Sequence, residues 1–430
     1  MKEYNVFIVP DKIYSKPIEY ILRLMANNQQ IKLNFLAKKE NVELVFDDGD
    51  TENSLPVAVD FYKRLLVDHQ YSYKIHFKGE CIIKTNDNKE DFIATAFYLI
   101  NCFQEYSDDS GLYDKFDRFL FEKTYQYEYD NIEDNLTQKT FESFCTKYIN
   151  GHSPRKVKSR VFISHDIDTI NGALFQDGYW ALRNKRIDII LKLIINAFLL
   201  RPDWKNMDKI MNIHDEYGLK STFFWLANKE KGPFGIKNAD YKATSCKPIM
   251  ERIEKNAFYN GIHKSCSNYS LQEEVENFPI KVFYNRFHFL RFKLPDLWDQ
   301  LSNSQIALDC SLGNAQRYGF RNNYGFPFKP YNLKTQSAYS FIEAPLNLMD
   351  ATFHKYLKVP RSNTAEEIIG FFEKNQYNTL LSLLWHNTYF SEYKYHGYLD
   401  EYKKILSYIY EMKFDCVTPP EIIKEFGHGE

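Results

Sequence analysis

The chain is short of the features that would mark a secreted, membrane-spanning or nucleic-acid-binding protein. Its seven cysteines are scattered, odd in number and never paired as CxxC. That argues against a disulfide framework or a thiolate zinc site and points to reduced thiols. No apolar run reaches the roughly 20 residues of a membrane span. The first ten residues, Met1 to Pro10, carry no secretory pattern and read as a first strand. Charge has no dominant sign, with 55 Lys and Arg against 57 Asp and Glu, so no nucleic-acid partner is expected. A cytoplasmic protein follows, and 430 residues allow a large core and two or three domains.

Aromatics are plentiful, 32 Tyr and 35 Phe, which suits either core packing or sugar stacking. Residues 1–150 read as an α+β module. Ile31–Phe35 and Val42–Phe46 are strand candidates, Ser72–Phe77 with Cys81–Lys84 a hairpin, and Asp91–Phe103 a helix. Asp114–Phe119 reads as a docking turn with local ion pairs. Residues 151–160 combine Gly, Pro and bases, as a linker or a phosphate grip would.

Residues 161–430 fit one α/β domain of (β/α) barrel size. Asn206–Tyr217 is a helix closed by Gly218, and Ser221–Leu226 is a buried strand. Ile280–Asn285, Gln305–Leu308 and Thr379–Trp385 repeat the apolar strand pattern. Tyr398–Met412 is a last helix. Residues 187–200 (IDIILKLIINAFLL) are apolar apart from Asp188, Lys192 and Asn196, which form one stripe on a helix. Such a helix either packs between domains or lies on a membrane surface as a peripheral contact.

Chemistry concentrates where apolar runs end in ionisable groups. Val161–Ile163 leads to Asp166 and Asp168, which share a face in extended backbone. One can bind a metal while the other acts as a base. A capped strand end is the plainer reading. His263 follows Ile262, Arg286 and His288 share one strand face, and Leu380–Trp385 runs into His386. In a parallel barrel such strand ends converge on one rim. Metal-assisted hydrolysis is the chemistry they suggest.

These residues carry a resemblance. Residues 161–430 resemble the polysaccharide deacetylases of NodB-homology type, carbohydrate esterase family four. The matching motifs, in family order, are Ser164-His165-Asp166-Ile167-Asp168, Lys220-Ser221-Thr222-Phe223-Phe224, Gly261-Ile262-His263, Arg286, Asp309-Cys310-Ser311 and Leu383-Leu384-Trp385-His386. The resemblance implies a distorted (β/α) barrel after a smaller α+β domain. It implies Asp166 as base, Arg286 as its orienting partner, His386 as acid, and Asp168 and His263 as ligands of zinc or another divalent metal. The family's second histidine, four residues past the first, is replaced by Ser267. His288, His165 and Ser267 are candidates for the third ligand, and His288 is preferred because imidazole suits zinc better than a hydroxyl. The implied reaction is deacetylation of an N-acetylated sugar, free or in a lipid- or nucleotide-linked glycan. A catalytically degenerate protein that binds glycan or serves as a scaffold in surface-polysaccharide biosynthesis is the alternative, and an esterase or another C–N hydrolase a further one. The first module resembles, more loosely, one that precedes some bacterial deacetylase domains. Gly319–Phe328 suits a sugar-stacking loop or an ordinary one; Glu343–Asp350 receives no chemical role.

Overall fold

The computed structural model describes residues 2–49, 52–72, 82–199 and 201–427. The hairpin expected over Ser72–Lys84 falls largely outside them. In the N-terminal part, β1 (Glu3–Ile8) lies between β2 (Lys32–Phe35) and β3 (Leu44–Phe46), both parallel to it. Parallel neighbours need a crossover. The helix α1 (Ser15–Gln29) supplies it, burying Ile18, Ile21, Leu22 and Met25 at helical spacing. It was not foreseen. Pro17 reads as a breaker but is tolerated in a first turn, where backbone N–H groups lack helical partners anyway.

Further on lie α2 (Val59–Leu66) and α3 (Phe92–Ile100), the second buried at every position. Asp91 caps α3, accepting from the Ala94 N–H at 2.8 Å. A short α4 (Tyr125–Glu128) and α5 (Leu136–Tyr148) complete this part.

The second part is an α/β fold built on eight parallel strands. They are β4 (Arg160–Ile167), β5 (Thr222–Leu226), β6 (Tyr259–Lys264), β7 (Tyr284–Phe287) and β8 (Leu308–Asp309). After a small antiparallel pair, β9 (Tyr331–Asn332) and β10 (Ser337–Ala338), come β11 (Ile342–Glu343), β12 (Leu348–Met349) and β13 (Leu380–Leu384). The order β11-β8-β7-β6-β5-β4-β13-β12 curls into a distorted (β/α) barrel that stays open between its outer strands. Because the strands are parallel, their C-terminal ends share one rim. Gly261 lets β5 and β6 approach: a Cβ there would meet the Phe224 ring at 2.5 Å.

Two expectations shift. The strand expected at Ile280–Asn285 is β7, displaced towards Phe287, because pairing with β6 sets Ile262 opposite Asn285 and His263 opposite Arg286. The Gly319–Phe328 segment divides: Tyr324, Phe326, Pro327 and Phe328 line a cavity shared with α1, away from the strand-end rim, while its first half forms a joint. Phe320, Arg321, Asn322 and Asn323 are buried where the two parts meet, and Arg321 pairs with Glu105 at 2.5 Å. Tyr20 and Phe97 pack on Tyr331 across the same joint, each with ring centroids 5.0 Å apart.

Between β4 and α8 (Met207–Glu216) the chain inserts a helical hairpin, α6 (Ala173–Arg183) and α7 (Ile187–Phe198). Only Ile189 and Leu193 of α7 are fully buried, so its apolar face is not packed between the two parts. No described helix is long and apolar enough to cross a membrane.

Candidate metal centre with its acid and base

The site grows from the end of β4. Alternation along the strand puts Ser164 and Asp166 on one side and His165 on the other. Ser164 Oγ and Asp166 Oδ1 each accept from Arg286 Nη1 at 2.8 Å. Arg286 is fully buried, donates through Nε to the Cys310 carbonyl at 2.9 Å, and lies over the Phe224 ring. A buried carboxylate is tolerable only with such a partner. His165 points into the core, its Nδ1 on the Trp385 carbonyl at 2.7 Å and its Nε2 3.3 Å from His214. Burial pushes its pKa down to about 4, so it stays neutral there.

Asp168 follows the last residue of β4. Its Oδ1 lies 3.4 Å from His263 Nε2 and 3.7 Å from His288 Nε2, and ligand atoms of the three residues lie within 4.8 Å of one another. Both imidazoles are aimed by their other nitrogen. His263 Nδ1 donates to the Arg286 carbonyl at 2.8 Å, and His288 Nδ1 to Asn238 Oδ1 at 3.1 Å. Asn238 is fixed in turn by the Cys266 N–H. With Nδ1–H so engaged, each ring has Nε2 left beside Asp168, where it offers a lone pair to a cation once the ring is neutral.

His288 reaches this place differently from the strand alternation expected for it. It stands just beyond β7, in a turn where Phe289 and Leu290 take φ of 60° and 50°. Phe289 stacks on its ring at 4.0 Å between centroids. Phe116, from the N-terminal part, stacks on Phe289 at 4.7 Å, and Arg118 donates to the Phe289 carbonyl. Arg118 also pairs with Asp114 at 2.6 Å, so this turn does dock through a local ion pair.

Ser267 is not among the converging groups. Its hydroxyl donates to Glu274 at 2.8 Å and accepts from Ser265. His386, just past β13, donates from Nδ1 to Asp350 Oδ1 at 2.7 Å, and its backbone N–H donates to Asp350 Oδ2 at 2.6 Å. Its Nε2 then faces Asp168 Oδ2 at 3.8 Å. Asp350, Asn238 and Ser164 are the positions that sequence reasoning passed over. Asp350 follows only two strand residues, Leu348 and Met349, too short a run to signal a strand end. Asn238 lies in a loop without any signal.

The charges sort the histidines. Burial pushes the pKa of His288 down to about 3 against the pull of Asp168. Burial also opposes charge on His386, but Asp350 outweighs it and raises the pKa to about 9. On His263 burial is outweighed by Asp166 and Asp168, which raise its pKa. Burial disfavours the Asp168 carboxylate, yet His288, His263 and His386 hold it well below the carboxylate range.

Asp168 Oδ1 is buried without a hydrogen-bond partner. A tetrahedral zinc site has ligand–ligand edges of about 3.3 Å, given bonds near 2.0–2.1 Å. The spacings around Asp168 Oδ1 match that edge within a few tenths. One carboxylate and two imidazoles suit a divalent cation such as zinc and leave a position open.

No family model and no curated protein sequence matches the chain. Among solved structures it is similar to a candidate polysaccharide deacetylase from Mycobacterium smegmatis, with 12% identity and a TM-score of 0.39 over 64% of this chain and 92% of that one. It is also similar to a pseudoenzyme of carbohydrate esterase family four from Bacillus anthracis, with 9% identity and a TM-score of 0.28 over 64% and 69% of the two chains. A mutant of that pseudoenzyme with restored enzymatic activity is similar at 10% identity and a TM-score of 0.29, over 64% and 71%.

Proposed function

We propose that the protein is a metal-dependent hydrolase that removes the acetyl group from an N-acetylated sugar, in a glycan or a lipid- or nucleotide-linked glycan precursor. The observation that carries this is one carboxylate and two imidazoles converging between an arginine-held acid and an aspartate-held histidine. Asp168, His263 and His288 would hold the cation, which when bound supplies Lewis acidity to the amide carbonyl and to a water. Asp166 accepts the water's proton at Oδ2, because Oδ1 is engaged by Arg286. Arg286 keeps that carboxylate turned towards the site. Asp350 holds His386 protonated, with Nε2–H facing the centre, ready to protonate the departing nitrogen. A base oriented by Arg286 and an acid kept protonated by Asp350 are what amide hydrolysis near neutral pH needs.

The direct test is acetate release from N-acetylated oligosaccharides by zinc-loaded protein, beside Asp166→Asn and His386→Ala. Release that survives both substitutions would sink the assignment. Faster release from O-acetyl than from N-acetyl sugars would make the protein an esterase.

One observation favours a second reading, a degenerate fold that binds glycan or serves as a scaffold. Ser267, at the position of the missing histidine, is committed to Glu274. Purified protein that neither contains nor takes up zinc, and that retains glycan binding, would establish that reading.

A further inference from the structure

The helical hairpin α6–α7 exposes an apolar surface with no partner in the fold. On α6, Phe175, Tyr179 and Leu182 lie at i, i+4 and i+7 and are 77%, 63% and 65% exposed. On α7, Ile187, Leu191, Ile194, Ile195 and Phe198 repeat that spacing, and Phe198 reaches 86% exposure. Residues at these intervals share one face of a helix. The opposite face of α7 holds Ile189 and Leu193, which bury it on the protein. Single exposed apolar residues need no explanation, but a continuous stripe on each of two packed helices does.

The surroundings of the stripes say what covers them. Arg183, Lys185, Arg186, Lys192 and Arg201 are all exposed around the hairpin. The acids there are Asp188, paired with Arg186 at 2.6 Å, Asp177, buried against Trp204 and Ser391, and the half-buried Asp203, which accepts from Asn196 at 2.6 Å. The hairpin is thus basic in a chain of net charge −2. A two-fold interface would set this basic rim against its own copy, which disfavours self-association. An apolar face edged by Lys and Arg, with aromatic residues at its margin, matches the interfacial region of an anionic bilayer.

We infer that α6–α7 seats the protein on an anionic membrane surface, with Phe175, Leu191, Ile195 and Phe198 entering the acyl boundary and the basic side chains meeting lipid phosphates. The hairpin is rooted beside the metal centre. α6 begins a short loop after Asp168, and Asn387, next to His386, donates to the carbonyls of Thr169 and Trp204 on either side of the hairpin. The seating rests on the exposed stripes and their charge, not on the deacetylase reading.

Flotation of the full chain with vesicles tests it, using phosphatidylcholine alone or with about 30% phosphatidylglycerol. The chain floats with the mixed vesicles, and added salt weakens the association. Arg183→Glu, Lys185→Glu and Arg201→Glu together lower partitioning by roughly a hundredfold, from about fivefold per basic residue lost. Leu191→Ser, Ile195→Ser and Phe198→Ser together abolish it; the three side chains are exposed, so the fold is retained, and circular dichroism checks this. Absence of flotation by the unaltered chain with the mixed vesicles would overturn the inference. So would a dimer, seen by sedimentation, that the apolar triple variant dissolves while vesicle binding is absent, since a second copy would then cover the face.

Discussion

At the scale of single residues, the site puts the same side chain into opposite states. His288 and His386 both stand among carboxylates in the protein interior. His288 spends its Nδ1 on the neutral amide of Asn238 and shares Asp168 with His263, so burial wins and its pKa falls to about 3. His386 has Asp350 in direct hydrogen bond, and its pKa rises to about 9. A ligand must be deprotonated and a general acid protonated, and the neighbours arrange both. His288→Ala should therefore lower zinc affinity by more than about a hundredfold, a loss at the upper end of what outer-shell changes cause. Calorimetric titration reads it, and an unchanged affinity would remove His288 from the ligand set. For His386 the sign is fixed by its proposed role as general acid. The acid works while protonated, so kcat/KM falls as pH rises through a value at or below about 9, since a bound cation offsets the help given by Asp168. Asp350→Asn removes the main support of that proton and should move this basic limb to lower pH, with kcat reduced. A limb that stays in place would assign it to another group.

At the scale of elements, much of the barrel could be read from the chain because a buried parallel strand is a short apolar run, and β4, β5 and β13 each end such a run at the rim. The two-residue strands β8, β11 and β12 are shorter than any period, and only their neighbours define them. Asp350, at the end of β12, was passed over for that reason. His288 was placed by strand alternation, whereas two left-handed residues, Phe289 and Leu290, deliver it. No periodicity encodes that turn. In the Gly319–Phe328 segment, Gly, aromatics and one Arg suit a ligand loop and a tight joint alike, and residues 319–323 form a joint. At Gly319, with φ of 126°, a Cβ would meet the Ile132 carbonyl oxygen at 2.4 Å. The pairing of Arg321 with Glu105 inside this joint gives a stability prediction. Arg321→Ala strands a buried carboxylate and should cost about 3–5 kcal/mol in urea unfolding, while Arg321→Met with Glu105→Leu should recover most of it. Equal losses in the two proteins would mean that the pair is not desolvated.

At the scale of the whole molecule, the cation site couples to folding. Zinc held by the three proposed ligands would favour the native state and should stabilise it by about 2.7 kcal/mol at a hundred times its Kd. Thermal unfolding with zinc and with chelator measures the difference. The pH dependence has a definite direction. Asp166 and Asp168 raise the pKa of His263 above its unfolded value, so in metal-free protein its proton adds stability that is fully present below the ordinary histidine value and is lost as pH rises through the raised one. Zinc must displace that proton, so zinc's stabilisation should grow over the same window. Stabilisation that is flat with pH would show that His263 is not a ligand.

The stack of Phe116 on Phe289 on His288 sets how the chain can be divided and how it can vary. A ring from the first 150 residues is two contacts away from a proposed metal ligand more than 100 positions later. Expressed alone, a barrel cut at the basic segment near Arg155 would keep all six proposed functional side chains and lose the outer support of one of them. The N-terminal part is in this sense no detachable appendage. A change at Phe116 would reach the proposed ligand through one intervening ring, without touching the barrel itself.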